Sequence, residues 1–114
     1  MSQALIEQLK QARLSRIESG NVVFIITRPT ELDLALQKRI ELNERSIFAK
    51  YVVGWEKITE KHILGSGDNE PVEFDSELFK LWIEDHSEHW MAISTGIREA
   101  YTSYQTRLEE STKN

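Results

Sequence analysis

A chain of 114 residues with a formal charge of −5, no cysteine and 39% hydrophobic residues is long enough for one modest core. The acidic balance argues against partnership with nucleic acid or an anionic membrane, and the missing cysteines exclude a disulfide framework and thiolate chemistry. No apolar run reaches the roughly 20 residues that span a bilayer, and "MSQALIEQLKQARLSR" has no secretory h-region, so a cytoplasmic address is expected.

In chain order, residues 2–11 carry Leu5, Ile6 and Leu9 at helical spacing, with Ser2 as N-cap. Ser19-Gly20-Asn21 is turn chemistry, because Gly and Asn tolerate the positive φ of tight hairpins, and residues 22–27 are β-branched and aromatic. Residues 12–28 are therefore predicted to form a β-hairpin pairing 14–18 with 22–27. The competing arrangement is a first helix that runs unbroken to Ile17. Pro29 lacks a ladder N–H and ends the strand. Thr30 and Asp33 then resemble a capping box at the start of a helix over 31–41, marked by Leu32, Leu36 and Ile40. After a polar break at 41–46, Ile47, Phe48, Tyr51, Val52 and Trp55 resume the helical period. The segment "YVVGWEKIT" (51–59) thus reads as a helix end, with Gly54 leaving the helix and Trp55 turning back onto the core.

Residues 64–71, "LGSGDNEP", have loop composition. Asp75 is placed to cap a helix striped by Leu78, Phe79, Trp82 and Ile83. Asp85 and Glu88 give a capping-box signature for a last helix along Trp90, Ile93, Ile97, Tyr101 and Tyr104. Residues 107–114 are polar and expected to fray. The fold class expected is mainly α: a single domain of four or five packed helices, with a helical body over 31–110 and a small N-terminal β-hairpin. Trp55 and Trp82 are expected at its core beside Phe48 and Phe79, since large aromatics dominate a core of this size.

The reactive side chains make no recognisable site. His86 and His89, three apart beside Asp85 and Glu88, could share a metal ion, but a third ligand would have to come from elsewhere, and His62 is the remaining histidine. "GSGD" lacks phosphate-loop spacing, and the serines lack a nucleophile elbow. Glu56, Glu60, Glu73 and Glu77 are carboxylates among 19 acidic residues, which makes a solvated background the expectation. No catalytic, metal or cofactor residue is expected. Among the aromatics, Trp90, Tyr101 and Tyr104 are the candidates to face a partner, as exposed aromatics anchor interfaces.

Several elements taken together resemble one group of proteins. They are "RPTELD" (28–33), a helix leading to "YVVGWEKIT" (51–59), a Gly/Asp loop, "PVEFDSELFKLWIEDHSEHW" (71–90) and a terminal helix. This order resembles the tail assembly chaperones, and closely related small proteins, of the tail-gene region of long-tailed phages and prophages. The hallmark is the hydrophobic-Gly-Trp segment Val53-Gly54-Trp55, followed after a loop by Pro71-Val72-Glu73-Phe74-Asp75 opening a helix that here carries Phe79 and Trp82. The likeness covers residues 25–104. It implies a non-enzymatic role in the host cytoplasm during virion morphogenesis: coating a tape-measure protein, recruiting tail tube protein, and self-associating into curved or ring-like assemblies absent from the mature virion. No catalytic residues carry over. The alternative from another class is a small protein–protein interaction or adaptor domain of a bacterial host protein, and a third class, a metal-dependent enzyme, would need His86 and His89 as ligands.

Overall fold

The computed structural model describes residues 2–37, 48 and 50–112. Ile40, Ile47 and the polar break at 41–46 lie outside the described residues. Helix α1 (Ser2–Ala12) leads into strand β1 (Leu14–Ser19), which pairs antiparallel with β2 (Val22–Thr27) from Leu14↔Thr27 to Ser19↔Val22. The two-residue connection is Gly20-Asn21, and Gly20 at φ 60° supplies the positive φ that the first position of a type II′ turn demands. The hairpin arrangement is the one observed, and α1 stops before it.

The mainly α expectation is overturned. A third strand, β3 (Val52–Glu56), pairs antiparallel with β2 and completes a three-stranded sheet of order β1-β2-β3, giving an α+β fold. The segment expected to end a helix is helical at Phe48, Lys50 and Tyr51 and then becomes this strand. The physical reason lies in the register: Phe24 pairs with Trp55 and Ile25 with Gly54, but Ile26 pairs with Val52. Val53 is the extra residue of a β-bulge and is 44% exposed. The bulge puts Val52 and Trp55, three residues apart, on the same face, so a strand shows the i, i+3 spacing of a helix.

The remaining elements are α2 (Glu31–Gln37), α3 (Glu60–Leu64), α4 (Ser76–Ile83), a 3₁₀ turn (Ser87–His89) and α5 (Trp90–Thr112). Thr30 and Asp33 exchange reciprocal bonds at the start of α2: the Thr30 N–H donates to Asp33 at 2.9 Å and the Asp33 N–H to Thr30 Oγ1 at 3.1 Å. Partial burial pushes the Asp33 pKa up, but the Thr30 N–H and the Lys50 ammonium 2.9 Å away hold it below the usual value. At the 64–71 loop, Gly65 ends α3 at φ 77°. The loop base is closed by Glu60 N–H to Glu70 O (3.1 Å) and Val72 N–H to Ile58 O (2.9 Å). Asp75 caps α4 by accepting from the Leu78 N–H at 3.0 Å. Asp85 does not take the expected capping position. The N-cap residue of the 3₁₀ turn is His86, without a side-chain cap bond, and α5 continues through Thr112.

One face of the sheet (Ile17, Val22, Phe24, Ile26, Val52, Trp55) packs against Phe79, Trp82 and Ile83 of α4 and Ile93 and Ile97 of α5, with Phe48 and Tyr51 in the same cluster. On the opposite face Arg16 of β1 reaches Glu56 of β3 at 2.7 Å across β2. On that same face Val23 is only 2% exposed. Helix α5 comes down onto β1 at Gly96. A methyl group there would overlap Ile17 Cδ1 and stand 2.5 Å from its Cγ1.

Two measurements check this packing. Trp55→Ala removes a buried indole and unpairs the carbonyl it binds, and is expected to cost about 3–5 kcal/mol in chemical denaturation; a loss below about 1 kcal/mol would place Trp55 outside the core. Gly96→Ala gains about 1 kcal/mol of helix propensity but crowds Ile17, an overpacking penalty of about 1–3 kcal/mol. The variant is expected to be less stable than the parent, and Ile17→Val, which removes Cδ1, to recover part of the loss. A stabilised Gly96→Ala would show that the contact is loose.

Candidate binding surfaces

All three tryptophans are tied into the structure by their indole N–H groups. Trp55 donates to Val72 O (2.7 Å), Trp82 to His62 O (2.9 Å) and Trp90 to Ile83 O (2.7 Å). Each bond satisfies a donor that would otherwise be costly to bury, and each joins two segments distant in sequence or direction. The Trp55 bond brings the two parts of the Val53-Gly54-Trp55 and Pro71–Asp75 pattern together, and Trp55 meets Phe74 edge-on at 5.2 Å. Phe79 and Trp82 complete that cluster, with ring centroids 6.3 and 6.0 Å from Trp55. Gly54 lies opposite Ile25 in the ladder, and Pro71 forms a bridge with Thr59. These residues build the core and the loop base, and Val53 alone of the Val-Gly-Trp triplet is exposed.

The histidines are bonded through Nδ1 in three different ways. His62 Nδ1 accepts the Thr59 N–H at 3.0 Å, His86 Nδ1–H donates to Trp82 O at 2.7 Å, and His89 Nδ1 sits 2.7 Å from Ser19 Oγ. His86 and His89 lie nearly parallel to the Trp82 indole, at 4.3 and 5.5 Å between centroids. Among the described residues no three His, Cys, Asp or Glu side chains come together as a metal site would require. Burial holds the His89 pKa below its ordinary value of 6.5, with the Glu88 carboxylate acting in the opposite direction.

The expected partner-facing aromatics are half-buried. Trp90 packs against the core with its N–H used internally, while Tyr101 and Tyr104 form a pair at 6.0 Å on α5, and the Arg28 guanidinium lies 3.6 Å over the Tyr104 ring. The exposed apolar surface lies elsewhere. Every residue of α1 is exposed, so Leu5, Ile6 and Leu9 form an aliphatic stripe facing solvent, and Leu32 and Leu36 do the same on α2. The spacing made both stripes legible in the sequence; it carried no sign of which stripes the domain would leave uncovered. A second surface is an open groove of about 750 Å³ between β1 and α5, with Ile17 and Gly96 at its floor and the charges of Arg16, Glu18, Glu88, Glu99 and Arg107 along it. No helix among the described residues is long and apolar enough to cross a membrane.

The lowered pKa of half-buried His89 has a pH consequence. Its folded-state pKa is depressed, so the native protein binds fewer protons than the unfolded chain as pH falls below about 6.5. Its contribution is complete above that value and lost progressively below it. Denaturation midpoints are expected to fall between about pH 7.5 and about pH 5.5, and to fall less in His89→Gln. An identical slope in the two proteins would remove His89 as the cause.

Comparison of the chain with known protein families, with curated proteins and with solved structures finds no match.

Proposed function

We propose that this chain is a tail assembly chaperone of a phage or prophage. It binds the tape-measure protein, and tail tube subunits in turn, in the host cytoplasm during tail morphogenesis, and catalyses nothing. The observation that carries the reading is α1: an 11-residue amphipathic helix whose residues are all exposed, on a domain whose aromatics are largely used internally. An isolated helix of that length is marginal in water, so its apolar stripe gains most when laid against a partner. Leu32 and Leu36 on α2 extend the available aliphatic surface. A tape-measure protein is long, helical and partly apolar until the tube encloses it, and helix-on-helix contacts at i, i+3 and i+4 spacing suit such a client. Contacts made by two short stripes are weak enough to be displaced by tube subunits, and many self-associating copies along one client supply the avidity that a single copy lacks. The ordered likeness from Arg28 to Trp90 supports the same reading. Leu5, Ile6 and Leu9 are better anchors than Trp90, whose indole N–H is already bonded; Tyr101 and Tyr104 provide a secondary contact on α5.

Co-expression with the tape-measure protein of the same locus tests this. The two are expected to co-purify, with more soluble tape-measure protein than in its absence. The double variant Leu5→Glu, Leu9→Glu is expected to abolish co-purification while shifting the melting temperature by less than about 2 °C, because both side chains are exposed. Tape-measure protein equally soluble with and without this chain, and no complex, would end the proposal.

A further inference from the structure

β1 is an edge strand whose free side opens into the groove beside α5. Which of its backbone groups face that side follows from the register. Ser19 and Val22 close a two-residue turn and therefore form a hydrogen-bonded pair, and such pairs alternate along an antiparallel ladder. The Arg28 N–H to Arg13 O bond of 2.8 Å is a rung of the same set, fixing the phase at the other end. The N–H and C=O groups of Ser15, Ile17 and Ser19 thus point to β2, and those of Leu14, Arg16 and Glu18 point outward. Each outward residue offers one donor and one acceptor, and among the described strands none lies on that side.

We infer that this edge accepts an extended segment of a partner protein as a fourth strand, seated in the groove between β1 and α5. A row of alternating donors and acceptors is matched by another extended backbone. The position of α5 selects the occupant. Paired strands lie about 4.8 Å apart, whereas packed helices need about 8–10 Å. Because α5 rests on β1 itself, at Gly96 over Ile17, a second copy joined edge to edge would drive its own α5 into this one. The incoming strand therefore comes from a segment with no helix covering that face.

Charge specifies its ends. The Ser19–His89 contact holds the hairpin-turn end of β1 against the 3₁₀ turn, which brings Glu18 and Glu88 to one end of the groove; Arg107 lines the other, while of the remaining charged lining residues Arg16 is paired with Glu56 and Glu99 adds a carboxylate along α5. A cation belongs at the first end and a carboxylate at the second. Between them the floor of Ala92 and Gly96 leaves room for small or β-branched side chains at alternate positions. Any partner with such a segment qualifies, a tape-measure protein or another, so the fate of the tail-assembly reading leaves this surface untouched.

The probes are two end-blocked peptides, Lys-Val-Thr-Val-Thr-Val-Glu and its reverse, which cover both strand directions. Amide exchange is followed by NMR on the full chain with each peptide at up to about 1 mM. The expected signature is alternation: the amides of Arg16 and Glu18 slow by at least about tenfold, while those of Ser15 and Ile17, already paired, are unchanged. E18K/E88K, at two exposed positions, is expected to abolish this slowing and to restore it when the lysine of the peptide is replaced by glutamate. No slowing with either peptide, slowing without alternation, or slowing that survives charge reversal would overturn the assignment. Protection of Arg16 and Glu18 that rises with protein concentration in the absence of peptide would overturn it in favour of a second copy.

Discussion

Trp55 reaches the core because Val53 is looped out of the β2–β3 ladder. Without that bulge, Val52 and Trp55 would point to opposite faces of the sheet, and the indole could not stand between Phe24, Phe79 and Trp82. From Trp55 the constraints run in a circuit. Its N–H fixes Val72, and the Val72 N–H closes the loop base against Ile58. Three residues later Asp75 starts α4, which delivers Phe79 and Trp82 to the same cluster. Trp82 holds the carbonyl of His62 in α3 and stacks with His86 and His89. The last of these reaches Ser19 and returns the circuit to the hairpin. The tight turn at Gly20 and the close approach at Gly96 then let β1 and α5 lie together without an intervening layer.

How much of this was legible depended on whether the signal was local. The Gly20-Asn21 turn, the Thr30–Asp33 exchange and the Asp75 cap each involve residues within four positions, and their chemistry names the structure they make. β3 was hidden for a physical reason: a bulged strand buries residues at i and i+3, the spacing by which helices are recognised, and helical backbone at Phe48 and Tyr51 immediately precedes it. The paired valines before Gly54 were the contrary β signal. Asp85 and Glu88 had the composition of a capping box, yet the Asp85 N–H goes to the Trp82 carbonyl at the end of α4, and the chain enters α5 through a 3₁₀ turn that starts from His86. For the surfaces, periodicity revealed stripes at Leu5, Ile6 and Leu9 and at Leu32 and Leu36. Whether a stripe meets the core is a property of the whole chain, and these do not.

The domain is consequently uneven. The sheet, α4 and the first half of α5 share one apolar cluster, whereas α1 contributes no buried side chain. Elements with few buried contacts open at a small fraction of the global unfolding free energy. In the docking role proposed for it, α1 would cost little to reposition and form contacts that a competitor can displace. The aromatic side chains, by contrast, are concentrated where displacement would unfold the protein.

β1 joins these two regimes, and Arg16 shows how. Its side chain crosses the outer face of the sheet to Glu56, while its backbone N–H and C=O face the groove. Charged side chains along an edge strand commonly suppress indiscriminate pairing, and Arg16 and Glu18 supply that here. They do not remove the hydrogen-bonding groups themselves; they restrict which strands can approach. α5, lying on β1 at Gly96, adds a steric restriction of the same sense, since it admits a lone strand and resists another copy of the domain. An edge guarded in this way is neither sealed nor sticky. It discriminates by charge at its ends and by bulk along its floor, and the second follows from how closely a glycine lets one helix approach one strand.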